Sequence, residues 1–329
     1  MRIVMMGTGT FAEPTFEALL SNFRDDVVGL VTQPARDGGN ARGSTRQTGK
    51  GMAAIARAAG VPVVQPESIN APDGLAQLRD LRPDLMVVAA YGQILSKDVL
   101  STPAVGTINV HASLLPKYRG AAPVAYAILG GEARTGVTII KVTPGLDSGD
   151  MILQAALDIL PDDTTGTLEA RLAGLGATLA VEAVQKYRAG GPVEGAKQDP
   201  ALVTKAPKIK KEFGLIDWTK PADAICRHVR AMQPWPTAYT FLHRPGKEPM
   251  RVIITNAHPA HSMTLEDTLP GTPFVFDVER DSIYVKADGR LMVAVEGLQP
   301  AGKKPMTAAG FLRGYDITND MRFGPESLS

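Results

Sequence analysis

The stretch Ile3-Val4-Met5-Met6-Gly7-Thr8-Gly9-Thr10 places an apolar strand at the start of the chain and ends it in a glycine turn. A helical pattern follows from Glu13 to Leu20, and a second apolar strand runs from Val27 to Thr32. Strand, tight turn, helix and strand in this order are typical of a parallel sheet that helices cover on both faces. The sequence therefore predicts an α/β fold for the first half of the chain.

The same alternation continues to about residue 189. Further apolar strands are predicted at 85–90, 106–111 and 137–142, and helices at 52–59, 72–80, 121–129 and 168–189. The turn after the first strand resembles a dinucleotide-binding loop, but the second strand ends in Gln33-Pro34 rather than in the acidic residue that holds a ribose hydroxyl. A simple strand-to-helix turn is therefore favoured over a nicotinamide site.

The second half of the chain has a different pattern. Residues 191–208 hold Gly, Pro and Lys with little periodicity, which is typical of a linker. One helix is predicted beyond it at 222–232, with strands at 238–242, 251–256, 274–278, 282–286 and 290–295. These features predict an α/β domain at 1–190, a linker at 191–208 and a small antiparallel β-barrel at 209–329.

Charge is nearly balanced, with 35 basic against 34 acidic side chains in 329 residues. A net charge of +1 gives no general attraction to nucleic acid, so any such binding depends on local basic runs. One run holds Arg36, Arg42, Arg46 and Lys50, and a second extends from Lys205 to Lys211. Taken alone, such runs are more often solvated loops than binding surfaces.

Cysteine usage favours a reducing compartment, and the hydropathy pattern favours a chain that does not span a membrane. Cys226 is the single cysteine, so the chain forms no internal disulfide. The apolar runs fall far short of the roughly 20 residues of a spanning helix, and the first strand begins at once. We therefore expect a cytoplasmic protein without a membrane partner.

Asn109 and His111 lie at the carboxyl end of the predicted strand 106–111. Side chains two residues apart in a strand point to the same face, and ligands of open α/β sheets bind beyond the carboxyl ends of the strands. An amide can bind an oxygen that becomes negative, and an imidazole can move a proton at neutral pH. The alternative is that His111 is a satisfied polar residue and Asn109 a local turn former.

Two further elements extend this constellation. Ser113-Leu114-Leu115-Pro116 follows at once, and its proline predicts a rigid shelf. Asp147 comes 36 residues after His111, past a predicted helix and strand that can act as a crossover back to the same edge of the sheet. Its carboxylate would then orient the imidazole, although a local Asx turn explains the same residue.

The pattern Asn-x-His-x-Ser-Leu-Leu-Pro-x-x-Arg-Gly from Asn109 to Gly120, followed by Gly-Leu-Asp-x-Gly-Asp from Gly145 to Asp150, resembles the folate-dependent formyltransferase superfamily. Members move a formyl group from 10-formyltetrahydrofolate to an amine. The resemblance implies catalytic roles for Asn109, His111 and Asp147, with no metal and no covalent intermediate. It also implies contact with the tetrahydrofolate by Ser113, Leu114, Leu115 and Pro116, in a cleft near Tyr91, Gly92 and Ile94.

The second half resembles the C-terminal domain of the branch that formylates initiator methionyl-tRNA. The matching segments are 216–218, 225–230, 233–236, 298–306 and 311–314. This implies an OB-like barrel that helps to hold the tRNA, and we expect a monomer. Trp218 and Trp235 are interpreted as core residues. The basic loop departs from the order usual in that branch, yet the resemblance assigns phosphate contact to Arg36, Arg42, Arg46 and Lys50.

Three other functions compete with this interpretation. A formyltransferase acting on an amino sugar nucleotide shares the Asn-His-Asp set, but residues 299–306 and the basic loop argue against it. A folate-binding module without chemistry is disfavoured because Asn109, His111 and Asp147 are all present. A nicotinamide oxidoreductase is disfavoured by Gln33. The sequence leaves open which group accepts the amine proton and how initiator and elongator tRNA are told apart.

Overall fold

The computed structural model describes residues 1–34, 49–190, 192–260, 268–275, 281–289 and 291–327. They form two compact units, the first made of Met1–Ala127, Ala133–Leu160 and Gly166–Lys208. The second contains Ile128–Glu132, Pro161–Thr165 and Ile209–Ser329. The fold class predicted for each half is confirmed. The predicted domain limits at 190 and 208 stay a prediction, and the described residues between them belong to the first unit.

The strands of the first unit form a seven-stranded sheet and a separate two-stranded one. They are β1 (Ile3–Gly7), β2 (Val27–Val31), β3 (Val63–Val64), β4 (Leu85–Ala89), β5 (Gly106–His111), β6 (Arg119–Gly120), β7 (Arg134–Lys141), β8 (Met151–Asp158) and β9 (Lys205–Ala206). The large sheet has the order β3-β2-β1-β4-β5-β7-β8, and β6 pairs with β9. Every residue of the central strands β1 and β4 is buried, which explains their continuous apolar sequence.

Six α-helices occur among the described residues of this part of the chain. They are α1 (Glu13–Phe23), α2 (Met52–Ala58), α3 (Pro72–Asp80), α4 (Lys97–Leu100), α5 (Pro123–Leu129) and α6 (Thr165–Arg188). Proline occupies the first turn of α1 and α3, where a missing N–H costs no hydrogen bond, and an acidic residue in each first turn favours the helix dipole. α3 has the predicted bounds, and α1 continues three residues beyond the predicted end.

One strand direction differs from the prediction. β7 is antiparallel to β5, with Ile139 opposite Val110 and Thr138 opposite His111, and β8 is antiparallel to β7. The segment after α5 is therefore the first strand of a hairpin, and the predicted crossover to a parallel strand is wrong. The first five strands of the sheet are parallel, and the loop between β7 and β8 carries Asp147 back toward β5.

The second unit is a nearly closed antiparallel β-barrel. Its elements are α7 (Ala222–Ala231), β10 (Ala238–Arg244), β11 (Lys247–Ala260), β12 (Pro273–Phe274), β13 (Ile283–Lys286), β14 (Met292–Pro300), β15 (Met306–Thr307), α8 (Ala308–Leu312) and β16 (Arg322–Gly324). Trp218 is buried, and its indole N–H donates to Oγ1 of Thr240 at 3.0 Å. This confirms the core position predicted for Trp218, while Trp235 is half-buried. No helix of the described ranges is long and apolar enough to cross a membrane.

Candidate active site

The carboxyl end of β5 carries the amide and the imidazole. Asn109 and His111 are two residues apart, so their side chains leave the same face of the strand. His111 is buried, with 5% of its surface exposed, and Asn109 is half-buried. Within the described residues the Asn109 side chain makes no hydrogen bond. Its N–H groups are therefore free to bind a ligand oxygen.

The ring nitrogens of His111 have different partners. Nε2 lies 3.0 Å from the carbonyl oxygen of Tyr118. A carbonyl only accepts, so Nε2 carries a proton and donates it. Nδ1 lies 3.6 Å from Oδ2 of Asp147. Burial lowers the pKa of His111 below its usual 6.5, although the Asp147 carboxylate and the Tyr118 carbonyl act in the opposite sense. The ring is therefore neutral at pH 7, with its lone pair on Nδ1.

Asp147 is held in a conformation that few residues adopt. Its φ is +47°, in the left-handed region that costs a non-glycine residue about 1 kcal/mol. Oδ2 accepts the backbone N–H of Gly120 at 2.9 Å, and the carbonyl oxygen accepts from Nε2 of Gln198 at 2.8 Å. Oδ1 has no partner among the described residues, and the side chain is 14% exposed. The Asp147 carboxylate thus bonds a distant loop rather than forming the local Asx turn.

The loop at Gly120 must approach another backbone closely. Gly120 has φ of +129°, and a Cβ at this position would overlap the carbonyl oxygen of Ala206 in β9. Only glycine fits both requirements. The Gly120 N–H therefore reaches Oδ2 of Asp147 because β6 can lie directly against β9.

Two residues that the sequence analysis did not single out fix the Ser113–Pro116 shelf. The Oγ1 of Thr138 is buried, donates to the carbonyl of Ser113 at 2.6 Å and accepts the N–H of Leu115 at 3.1 Å. Nε2 of Gln154 donates to Oγ1 of Thr138 at 2.8 Å and to the Leu115 carbonyl at 3.0 Å. These hydrogen bonds hold the Ser113–Pro116 shelf against β7 and β8. Their only sequence signal is a polar residue in each of two strands.

The four residues of the shelf differ in accessibility. Ser113 and Leu115 are buried, and the Ser113 hydroxyl donates to the Lys117 carbonyl at 2.6 Å. Leu114 and Pro116 are half-buried. The side chains of Leu114 and Pro116 are therefore the ones of this segment that retain surface for a ligand.

The region after β4 contains a turn that a side-chain hydrogen bond closes, and one exposed apolar side chain. Nε2 of Gln33 donates to the Tyr91 carbonyl at 2.7 Å, so Gln33 closes the turn at the end of β2. Tyr91 is buried, and burial raises the pKa of its hydroxyl to about 12. Ile94 is 85% exposed. Such an exposed aliphatic side chain can pack against the flat ring of a bound ligand.

The basic loop is described only at its end. Arg36, Arg42 and Arg46 lie outside the described residues. The Nζ of Lys50 is exposed and lies 2.6 Å from Oε1 of Glu17, which raises the pKa of Lys50. The backbone N–H of Lys50 donates to the buried Glu13 at 3.0 Å. Lys50 is thus already paired with a carboxylate.

Metal-ligating side chains are dispersed in the described part of the chain. No group of three or more His, Cys, Asp or Glu side chains is placed there to hold a metal ion. Cys226 is buried, and burial is the main reason that its pKa rises to about 12. The thiol is therefore unreactive at neutral pH. Amide, imidazole and carboxylate are the groups with which this site can act.

The chain matches the model of the formyl transferase family over residues 1–184 and that of the formyl transferase C-terminal domain over residues 208–316. The chain belongs to the formyl transferase family. The match covers both halves, so the resemblance of the Asn109–Gly120 and Gly145–Asp150 motifs to this family is confirmed.

Formyl transferases named methionyl-tRNA formyltransferase align with almost the whole chain. The protein of Citrifermentans bemidjiense is 42% identical over 329 residues, which is 100% of this chain and 98% of that protein. That of Chloroflexus aggregans is 42% identical over 316 residues, which is 95% of this chain and 97% of that protein. That of Bacillus licheniformis is 41% identical over 323 residues, covering 98% of each.

Solved structures of two more distant proteins share the fold. The N-formyltransferase from Helicobacter canadensis, in complex with folinic acid and dTDP-3-aminofucose, has a TM-score of 0.67 at 17% identity and covers 90% of this chain and 98% of its own. HypX from Aquifex aeolicus in complex with tetrahydrofolic acid has a TM-score of 0.60 at 15% identity. The likeness covers 97% of this chain and 48% of HypX. At these identities the likeness concerns the fold alone.

Proposed function

We propose that this enzyme transfers the formyl group of 10-formyltetrahydrofolate to the α-amino group of methionine on initiator methionyl-tRNA. The observation that carries the proposal is the identity of about 40% with methionyl-tRNA formyltransferases over both halves of the chain. The formyl transferase solved with dTDP-3-aminofucose is 17% identical to it. The sugar alternative therefore has the weaker support.

Asn109 stabilises the charge that develops on the formyl oxygen. Attack of the amine on the formyl carbon turns the carbonyl oxygen into an oxyanion. The side-chain amide of Asn109 is half-buried and free to donate an N–H to that oxygen. One well-placed donor of this kind contributes about 3 to 4 kcal/mol to transition-state stabilisation.

His111 and Asp147 remove the proton that the attacking nitrogen must lose. Oδ1 of Asp147 is the unbonded carboxylate oxygen of the pair, and Oδ2 faces Nδ1 of His111 at 3.6 Å. The proton of the amine passes to Oδ2, the carboxylate oxygen that faces Nδ1, and the neutral imidazole takes it up through the lone pair of Nδ1. The charged ring then has two acceptors, the Tyr118 carbonyl and the carboxylate.

The proton leaves the pair when the carbon–nitrogen bond to the folate breaks. It is delivered to the departing folate nitrogen, so the products are the formylated amine and tetrahydrofolate. Protons and charges balance without a metal or a covalent enzyme intermediate. The pair ends the cycle as it began, with a neutral ring and an ionised carboxylate.

Substrate contacts follow from accessibility and charge. The half-buried Leu114 and Pro116 and the exposed Ile94 supply apolar surface for the tetrahydrofolate, with Ser113 and Leu115 holding the shelf from within. Arg36, Arg42, Arg46 and Lys50 are assigned to phosphates of the tRNA. Lys50 must exchange its partner Glu17 for a phosphate to do so.

The enzyme is assigned to the cytoplasm as a monomer, with a catalytic domain at 1–190, a linker at 191–208 that bonds to loops of that domain, and a tRNA-binding barrel at 209–329. The single cysteine, which is buried and unpaired, supports a reducing compartment. Sedimentation equilibrium at micromolar concentration is expected to give the chain mass of 34.9 kDa. A dimer mass would contradict the monomer.

Incubation with defined acceptors tests the proposed reaction. The enzyme is mixed with 10-formyltetrahydrofolate and, separately, with charged initiator tRNA, charged elongator tRNA and a dTDP-linked amino sugar. The formylated product is detected by mass spectrometry. Formylmethionine on the initiator tRNA is the expected product. Formylation of the sugar alone overturns the assignment of the acceptor, and absence of any formylated product overturns the reaction itself.

A further inference from the structure

Gln198 lies in the chain segment between α6 and β9, and its side-chain amide bonds two separate loops. Nε2 donates to the carbonyl oxygens of Asp147 and Gly149, each at 2.8 Å. Oε1 accepts from Nε and Nη2 of Arg119, at 3.0 Å and 2.7 Å. A primary amide has two N–H donors and two acceptor sites, so Gln198 uses its full bonding capacity here.

The two loops that Gln198 joins carry both partners of the imidazole. Residues 118–120 supply the Tyr118 carbonyl, which accepts from His111, and the Gly120 N–H, which binds Asp147. Residues 147–149 supply the carboxylate itself. The position of one loop against the other therefore sets the distance between the ring and the carboxylate.

Neighbouring residues of the same segment each bond one of the loops. Oγ1 of Thr204 accepts the N–H of Tyr118 at 2.8 Å on the first loop. Nζ of Lys197 pairs at 2.8 Å with Asp150, the residue that follows the second loop, and the Lys197 side chain is 86% exposed. The side chain of Gln198 bonds both. It is also half-buried, so its bonds are less exposed to competition from water than those of Lys197.

We propose that Gln198 is a positioning residue of formyl transfer, which fixes the 118–120 loop against the 147–149 loop and so sets the approach of Asp147 to His111. This role rests on the proposed function. Replacing Gln198 by alanine leaves the Arg119 guanidinium and two carbonyl groups without partners and removes an anchor of the left-handed Asp147. A displacement of about 1 Å at reacting groups typically costs about 100-fold in rate.

The first measurement is the kcat of Gln198→Ala with both substrates saturating. We expect a decrease of about 10- to 100-fold, with the KM for 10-formyltetrahydrofolate within about twofold of the unmodified enzyme. Gln185→Ala is the matched control, because Gln185 is exposed on α6 and its side chain makes no hydrogen bond within the described residues. Its kcat is expected to be unchanged.

A double-mutant cycle with Asp147→Asn separates positioning from a general structural defect. If Gln198 acts by placing the carboxylate, Gln198→Ala lowers the residual kcat of Asp147→Asn by less than about twofold. An equal loss of kcat in both backgrounds overturns the proposal. A kcat of Gln198→Ala equal to that of the unmodified enzyme also overturns the proposal.

Thermal melting checks that each variant is folded. If Gln198→Ala does not fold, Gln198→Glu replaces it, because glutamate keeps the size and the acceptor for Arg119 but has no donor for the two carbonyls. If neither variant folds, the residue is structural and the positioning role is wrong. If the unmodified enzyme shows no formyl transfer, the proposed function is wrong. If the unmodified enzyme is active and Gln198→Ala has the same kcat, the positioning role alone is wrong.

Discussion

Nδ1 of His111 and Oδ2 of Asp147 face each other at 3.6 Å, which is longer than a hydrogen bond and within the range of an ion pair. Burial favours the neutral ring before reaction, while the carboxylate and the Tyr118 carbonyl stabilise the charged ring once a proton arrives. The same surroundings therefore suit both forms. This allows the pair to hold a proton for the duration of one reaction step.

Asp147→Asn removes the charge and keeps the size and an acceptor for the Gly120 N–H. We expect an unchanged melting temperature and a kcat lower by about 10²- to 10⁴-fold, the range of general acid–base catalysis. His111→Ala should lower kcat similarly, and the double variant should be little worse, because the two groups act as one unit. Single-turnover formylation measures these rates. Near-normal turnover of either single variant contradicts the assigned roles.

Stability should fall as the solution becomes acidic. His111 and His228 both have a pKa that burial lowers below the usual 6.5. Below about pH 6.5 the unfolded chain binds protons at these sites and the folded chain does not, so unfolding becomes easier as pH decreases, until the folded pKa values are passed. Urea titrations between pH 7.5 and 5.5 measure the slope.

The contribution of each ring to that slope can be isolated by substitution. His111→Gln and His228→Gln each remove one buried imidazole, so each should flatten the dependence of unfolding free energy on pH. His243→Gln is the matched control, because its ring is in an exposed bond to the Pro325 carbonyl. A slope that neither buried substitution alters would show that other groups cause the pH dependence.

Thr138→Val tests the support of the shelf. The substitution removes the hydroxyl that bonds Ser113, Leu115 and Gln154, and each buried group left unpaired costs about 1 to 3 kcal/mol. We expect lower stability in urea and weaker binding of folinic acid by calorimetry. Thr107→Val is the matched control in β5, since the buried Thr107 hydroxyl has no partner and its loss should not destabilise the fold. Equal effects of the two changes would contradict a special role of Thr138.

Arg42→Ala tests the basic loop. Loss of one phosphate contact should weaken tRNA binding and reduce the slope of log K against log salt by about 1. Lys50→Ala should reduce it less, because Nζ of Lys50 is paired with Glu17 in the free enzyme. Filter binding of charged initiator tRNA at several salt concentrations measures both slopes. An unchanged slope for Arg42→Ala counts against contact between the loop and the tRNA.

Local patterns predicted much of the fold. β5 and α3 have the predicted bounds, because each combines a clear apolar pattern with a glycine or proline at its first residue. Asn109 and His111 share a strand face for the same reason, since strand alternation is a local rule. Motif resemblance supplied the family, which local patterns do not encode.

The features that the sequence did not predict depend on pairing between distant segments. β8 was missed because six of its eight residues are Met, Leu, Ala or Gln, which favour helices, and its pairing with β7 makes it a strand. The reversed direction of β7 has the same origin. Gln198 lies in a segment that composition identifies as a linker, and its four bonds exist only once the 118–120 and 147–149 loops have met.

The pairing of β6 with β9 has a consequence for where the catalytic half can be separated from the rest. The family model ends at residue 184, yet Gln198, Thr204 and Ala206 bond the loops around His111. A portable catalytic module therefore has to extend through Ala206. Shuffling of C-terminal halves, whether in evolution or in the laboratory, is expected to preserve this short tail together with the α/β body.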